Sequence, residues 1–287
     1  MEEQKNKNQA SNSICQIIKN QKHKMKNIFI VLFTALIFTS CEKVINVDYE
    51  NNQSKVIIEG NITNEQGSYF IKITRSISLE DAGSNPTIND AIVTISDDAG
   101  NSETLTPQGN GMYRTNTLKG VEGRTYTLTV NTENQVYIAQ SNMPKLVPFD
   151  SIKVEPITVF GDTEYNLVPV YIDPMEKGNN YRFVLSVNDT LINQHFIQND
   201  DIKNGAVNTF RLEINDEDLK LVQGDFVSVT MQCIDKNVAS YYTALAQMAD
   251  SGPGGGTTPN NPPNNISNGA LGIFSAHTVE RRSVVIP

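Results

Sequence analysis

Strict two-residue alternation of apolar and polar side chains dominates this chain and limits it to half-buried sheets. In Thr125–Val130, Tyr126, Leu128 and Val130 fall on one side and three threonines on the other. Tyr69, Ile71 and Ile73 alternate with Phe70, Lys72 and Thr74, and Ala91, Val93 and Ile95 repeat the pattern. Phe183, Leu185 and Val187 do so further on, as do Val227, Val229, Met231 and Cys233. Successive strand side chains point to opposite faces, so each run predicts a strand with one apolar face. Gly- and Asn-rich turns separate the runs at Asp98–Asn101, Gln108–Gly111, Gly120–Gly123 and Lys177–Asn180. These residues accept the positive φ that tight connections need.

Short strands punctuated this way predict an all-β chain of two tandem immunoglobulin-like β-sandwich domains. Pro144 and Pro148 mark the boundary, because paired prolines interrupt a ladder and stiffen a connector. The expected division is residues 50–145 for the N-terminal sandwich and 146–287 for the C-terminal one. One short helix is expected in the second, over residues 239–249, with Tyr241, Leu245 and Met248 on one face packed against a sheet. A brief turn is expected at Asp216–Leu219. Residues 271–276 and 282–286 read as two final strands. Between helix and strands, Ser251–Gly269 holds five Gly, four Pro and five Asn in 19 residues, so it reads as a flexible loop.

The N-terminus carries an export signal. Lys24 and Lys26 precede the apolar stretch Ile28–Phe38, and Thr39-Ser40 lead into Cys41. That stretch is too short to span a bilayer, which takes about 20 apolar residues. The ending Phe-Thr-Ser-Cys resembles a bacterial lipobox, which implies cleavage before Cys41 and acylation of its thiol. Residues 25–40 are thus the signal peptide, 41–49 a lipidated tether, and 1–24 an extension upstream of Met25, the expected initiator. Removing residues 1–40 takes away six Lys and two Glu, leaving 17 basic and 30 acidic residues, a net charge of −13. Such a surface is unsuited to nucleic acid and repels anionic headgroups, which leaves membrane attachment to the lipid.

Catalytic motifs are sparse. The mature chain has two histidines, His195 and His277, without metal-ligand spacing, and one further cysteine, Cys233, on the apolar phase of its strand. No cofactor and no metal site is expected. Asp97–Asn101 reads as a β-turn rather than half a calcium loop. Asp150-Ser-Ile and Asp189-Thr-Leu resemble a bacterial O-glycosylation signal, which nominates Ser151 and Thr190.

Cys41–Asp48, Val56–Thr63, Ala91–Gly100, Gly123–Leu128, Val147–Ser151, Pro262–Ile266 and Gly269–Ala276 occur in an order that resembles a Bacteroidota outer-membrane lipoprotein family, domain of unknown function 4249. The resemblance implies an outer-membrane lipoprotein, often encoded beside a TonB-dependent transporter, with no established activity and no active-site residues to transfer. The first domain also resembles carboxypeptidase-regulatory-like sandwiches. The expected role is a non-enzymatic accessory or binding lipoprotein on either face of the outer membrane. An adhesin or envelope structural protein is one alternative, and a surface hydrolase with dispersed Asp, Glu and Tyr is another. Tyr241, Tyr242, Asn264, Asn265 and Ile266 are the expected partner contacts.

Overall fold

Where the alternation is regular, the backbone forms antiparallel ladders. A computed structural model describes residues 54–77, 83–159, 162–199, 204–214, 219–250 and 261–287. Cys41, the signal peptide and the expected turn at 216–219 lie wholly or mostly outside these residues. Eight strands cover the first part: β1 (Val56–Thr63), β2 (Phe70–Arg75), β3 (Ile92–Asp97), β4 (Ser102–Thr104), β5 (Thr106–Gly109), β6 (Met112–Arg114), β7 (Thr125–Thr132) and β8 (Gln135–Asn142). Then come β9 (Phe149–Val159), β10 (Asp162–Tyr171), β11 (Asn180–Val187), β12 (Thr190–Leu191), β13 (Phe196–Asn199) and β14 (Phe226–Ile234). Helix α1 (Lys236–Asp250) and strand β15 (Leu271–Val285) complete the order. Among the described residues the chain is all-β with one helix, and its sheets pack as sandwiches.

In the first sandwich, β4-β3-β7-β8 faces β1-β2-β6-β5. Val93, Ile95, Leu128 and Val130 from one sheet meet Ile58, Ile62, Ile71 and Ile73 from the other. In the second, the β9-β10 hairpin covers the sheet containing β11, β14 and β15. Phe149, Leu167 and Tyr171 pack there on Phe183, Leu185, Val229 and Met231. Cys233 belongs to this core at 3% exposure, and burial pushes its thiol pKa up, so it packs as a small apolar group.

β15 belongs to both sandwiches. Its first half runs parallel to β1, from Ile57–Leu271 to Thr63–His277, and its second half runs antiparallel to β14, from Cys233–Thr278 to Phe226–Val285. Ile266, Ala270, Phe274 and Ala276 therefore join the first core, whereas Ile286 joins the second. A cut at residue 146 separates the first sandwich from these closing residues. The two expected final strands are one strand. Its middle is buried on both faces, because the first core lies beneath Phe274 and α1 packs over Ile273 with Val238 and Ala239.

The turns form as the Gly and Asn positions predict. At Asp97–Asn101, the Asp97 carboxylate accepts backbone N–H groups of Ala99 and Asn101 and the guanidinium of Arg124 at 2.5 Å. Burial alone would raise this carboxyl, but the Asn101 and Arg124 hydrogen bonds hold it below its ordinary pKa.

Asp235 ties α1 to the first sandwich. One carboxylate oxygen accepts the Val238 N–H at 2.9 Å, which caps the helix. The other accepts the Ser141 hydroxyl at 2.5 Å and the Asn142 N–H at 3.1 Å, both on β8. Ser141 in turn accepts the Ala276 N–H at 2.8 Å. Replacing Asp235 with Ala removes a cap and two cross-sandwich bonds, an expected loss of about 2 kcal/mol. Asp235→Asn keeps the cap and loses less, and urea midpoints of the two variants give the comparison.

Candidate functional site

A broad opening lies on the second sandwich, where β13 and residues 207–212 diverge onto different sheets. β13 pairs with β11 from Asn180–Asn199 to Phe183–Phe196. Residues 207–212 return beside β10, with Asn208 N–H donating to the Tyr171 carbonyl and Leu212 N–H to that of Leu167. Between them is a cleft of 680 Å³ with Phe210 and five carboxamide residues in its walls: Gln194, Gln198, Asn199, Asn208 and Gln247. A second cleft of 620 Å³ adjoins it, running towards Lys236 and Gly178. The two share Ile197, Gln198, Asn199, Thr243 and Gln247, so they form one groove along α1.

The helix wall of the groove is low because Ala239, Ser240, Thr243 and Ala244 present small side chains to it. Its floor is built through side-chain bonds. Gln194 donates to the Glu213 carbonyl at 2.8 Å, and Asn208 donates to the Pro169 carbonyl at 2.7 Å while accepting the Phe210 N–H at 3.0 Å. Arg211 is paired with Glu155 at 3.0 Å.

Beneath the helix, the guanidinium of Arg182 lies 4.0 Å from the centroid of the Tyr242 ring and donates to Gln232 at 2.9 Å. His195 sits 5.3 Å from the same ring. Burial lowers its pKa and Arg182 lowers it further, so the imidazole at the cleft wall is neutral near pH 7. Tyr241 meets Tyr242 edge-on at 5.3 Å and packs beside Ile234 and Ile273. Tyr241 and Tyr242 thus hold α1 on the sheet, while Met248, at the end of the expected apolar face, is 46% exposed.

His277 is fully enclosed on β15, with Nδ1 2.9 Å from the Ser275 hydroxyl. Burial, aided by the charge of Arg182, carries its pKa down to about 3. An unfolded histidine takes a proton below about pH 6.5, whereas the folded chain keeps this ring neutral far below that. Stability is therefore whole above pH 6.5 and declines as the pH falls towards 3. Between pH 6.5 and 4.5 the expected loss is about 2 kcal/mol. Thermal melts of the wild type and His277→Gln across that range test this, the variant giving the flatter profile.

Asn264, Asn265 and Ile266, expected as partner contacts, make bonds and contacts within the fold. Ile266 is 8% exposed in the first core. Asn264 donates to the Ala270 carbonyl at 2.8 Å, and Asn265 donates to the carbonyls of Gln140 and Phe274 at 2.9 and 2.6 Å. Ser267 and Asn268 continue the seam along β8. This part of the Gly/Pro-rich stretch seals a strand edge that would otherwise expose unpaired backbone groups. Residues 251–260 lie outside the described residues. Ser151 on β9 and Thr190 on β12 are both exposed.

Of the cleft residues, sequence alone singles out His195. The others come from separate segments whose local patterns carry no period, and only the divergence of two sheets unites them. Among the described residues, no group of three or more His, Cys, Asp or Glu could hold a metal ion, and no helix is long and apolar enough to cross a membrane.

No curated protein matches the chain. Among solved structures it is similar to a two fibronectin type-III domain segment from chicken tenascin, at 13% identity and a TM-score of 0.22, covering 64% of this chain and 92% of that one. That likeness is slight, and the fold is read from the sheets themselves. The model of the family described as Domain of unknown function (DUF4249) matches residues 42–283, from just after Cys41 to near the end of β15, and the chain belongs to that family.

Proposed function

We propose that the protein is a non-enzymatic binding or accessory lipoprotein, held to the outer membrane by acyl chains on Cys41 and working beside a TonB-dependent transporter. The observation that carries the binding role is the groove along α1. It is large enough for a ligand of several residues and is lined by carboxamides that both donate and accept hydrogen bonds. His195 is held neutral by burial and Arg182, and Arg211 is already paired. The anchoring role rests on the signal Met25–Ser40 and on Cys41. Several acyl chains, at about 0.8 kcal/mol per buried CH₂, hold a protein at a bilayer without a spanning helix. The net charge of −13 left after processing leaves attachment to those chains rather than to basic contacts.

The test is purification of the tagged full chain from native membranes after labelling with palmitate. Label in the wild type, none in Cys41→Ala, and a TonB-dependent transporter in the wild-type eluate are the expected results. An unlabelled protein whose membrane fractionation is unchanged by Cys41→Ala removes the anchor. A labelled protein recovered without a transporter removes the partnership.

A further inference from the structure

We propose that the groove between β13 and α1 binds an extended polypeptide segment as an added strand, with a basic side chain directed towards Glu213. The inference rests on the binding role above and names the chemistry of its ligand.

The edge of β13 is the first reason. Asn188 and Asp189, with φ of 50° and 64°, form a two-residue turn that pairs Val187 with Thr190, and Ile192 N–H then donates to the Leu185 carbonyl at 2.9 Å. Odd-numbered residues of β11 therefore aim their backbone groups at the β12–β13 side. Tyr181 and Phe183 continue the series and engage Gln198 and Phe196. By the same alternation Ile197 and Asn199 turn their N–H and C=O groups away from β11. The Asn199 carbonyl already accepts the Gln198 side-chain amide at 3.0 Å, which leaves its second lone pair for a bound chain. Ile197 and Asn199 line both halves of the groove. Among the described residues β13 has no second partner strand. Main-chain groups that recur every second residue along such an edge match the backbone of another extended chain, which is the basis of strand addition.

Dimensions agree. Lys236 and Gln247 lie eleven residues apart on α1, about 17 Å at 1.5 Å per residue. An extended segment of about five residues spans the same length.

Charge sets the polarity. Glu213 stands exposed at one end, beside the last turns of α1, which carry no basic residue. The C-terminal end of a helix bears partial negative charge. Arg211 is drawn to Glu155, which also pairs with Lys153, and the Tyr242 ring lies over Arg182. Lys236 stands at the opposite end, in the first turn of α1. The groove thus favours a cation at the Glu213 end and an anion at the Lys236 end.

The experiment pans a phage-displayed library of random dodecapeptides against the full chain in detergent micelles, then measures the selected peptides as synthetic compounds. Expected are sequences with a basic residue, amide exchange at Ile197 and Asn199 slowed at least tenfold by the bound peptide, and affinity weakened at least tenfold by Glu213→Lys. Far-UV circular dichroism checks that this surface variant is folded. No enrichment, binding without slowed exchange at Ile197 and Asn199, or affinity unchanged by Glu213→Lys would each overturn the proposal. A panel of neutral oligosaccharides is measured in parallel. Binding there in place of peptide overturns the polypeptide assignment while the binding role stands. Failure of the anchoring and partner reading shows separately, in the membrane purification.

Discussion

A chain ending at residue 260 fails to fold in its first sandwich as well as its second, although the deletion begins more than a hundred residues after β8 ends. The deleted segment contains Ile266, Ile273, Phe274 and Ile286, buried to between 0% and 8% exposure and spread over all three apolar clusters. At roughly 1.5–3 kcal/mol per large apolar side chain, their loss removes about 6–12 kcal/mol. A protein of this kind has only about 5–15 kcal/mol in total. The same deletion strips β1 and β14 of their shared neighbour, leaving two edges with unpaired backbone groups. Hydrogen exchange over residues 126–142 gives the readout. Loss of protection there is the expected result, and native protection in the truncated chain would show that the first sandwich stands without β15.

Gly272→Ala is the most damaging single substitution expected. Gly272 has φ of +95°, where a β-carbon is strained, and that carbon would strike the backbone carbonyl of Ile58 on the paired strand. Ile58 is fully buried, so neither strand can move aside. The expected loss is about 3 kcal/mol or more, with a fall in melting temperature of about 10 °C. Gly269→Ala is the control. Its φ is +71°, but a β-carbon there meets open space, so its cost is about 1 kcal/mol. Equal effects in calorimetry would mean that the close approach to Ile58 adds nothing beyond the backbone angle.

Lowering the pH acts on the same seam. His277 sits opposite Thr63, where β15 ends its pairing with β1, and the next residue, Thr278, begins its pairing with β14. Protonation of His277 in the unfolded chain therefore draws on the junction through which the two sandwiches share a strand. The Asp97 carboxyl, held low by Asn101 and Arg124, adds its own loss only below the ordinary carboxylate range. The window from pH 6.5 to 4.5 separates the histidine effect from the carboxylate effect.

The strands with clean alternation were legible from the residues alone, because a period of two states which face is apolar without reference to anything distant. That covers β3, β7, β11 and β14, the burial of Cys233, and the turns at Asp97–Asn101 and Lys177–Asn180. Helix α1 was legible for a similar reason, through the spacing of Tyr241 and Leu245. Other features depend on what lies opposite. Pro156 and Pro169 weaken any strand reading of β9 and β10, yet both fit in a hairpin that is flanked on the β10 side only by isolated bridges to residues 207–212. Polar residues His277, Thr278 and Glu280 break the apolar pattern of β15 and suggest two strands. Partners supplied by the fold keep it one: Ser275 bonds to His277, and Glu280 accepts the Phe149 N–H at 2.6 Å. Asn264–Ile266 have the composition of a loop, and only the unpaired edge of β8 makes them a seam. The groove along α1 has no local signal, since its walls come from β13, residues 207–213 and the helix. Sequence determined which faces are apolar, because that is a property of neighbours along the chain. Tertiary structure decided which strands share a partner and where the sheets part, because those depend on backbone groups that are chemically alike at every residue.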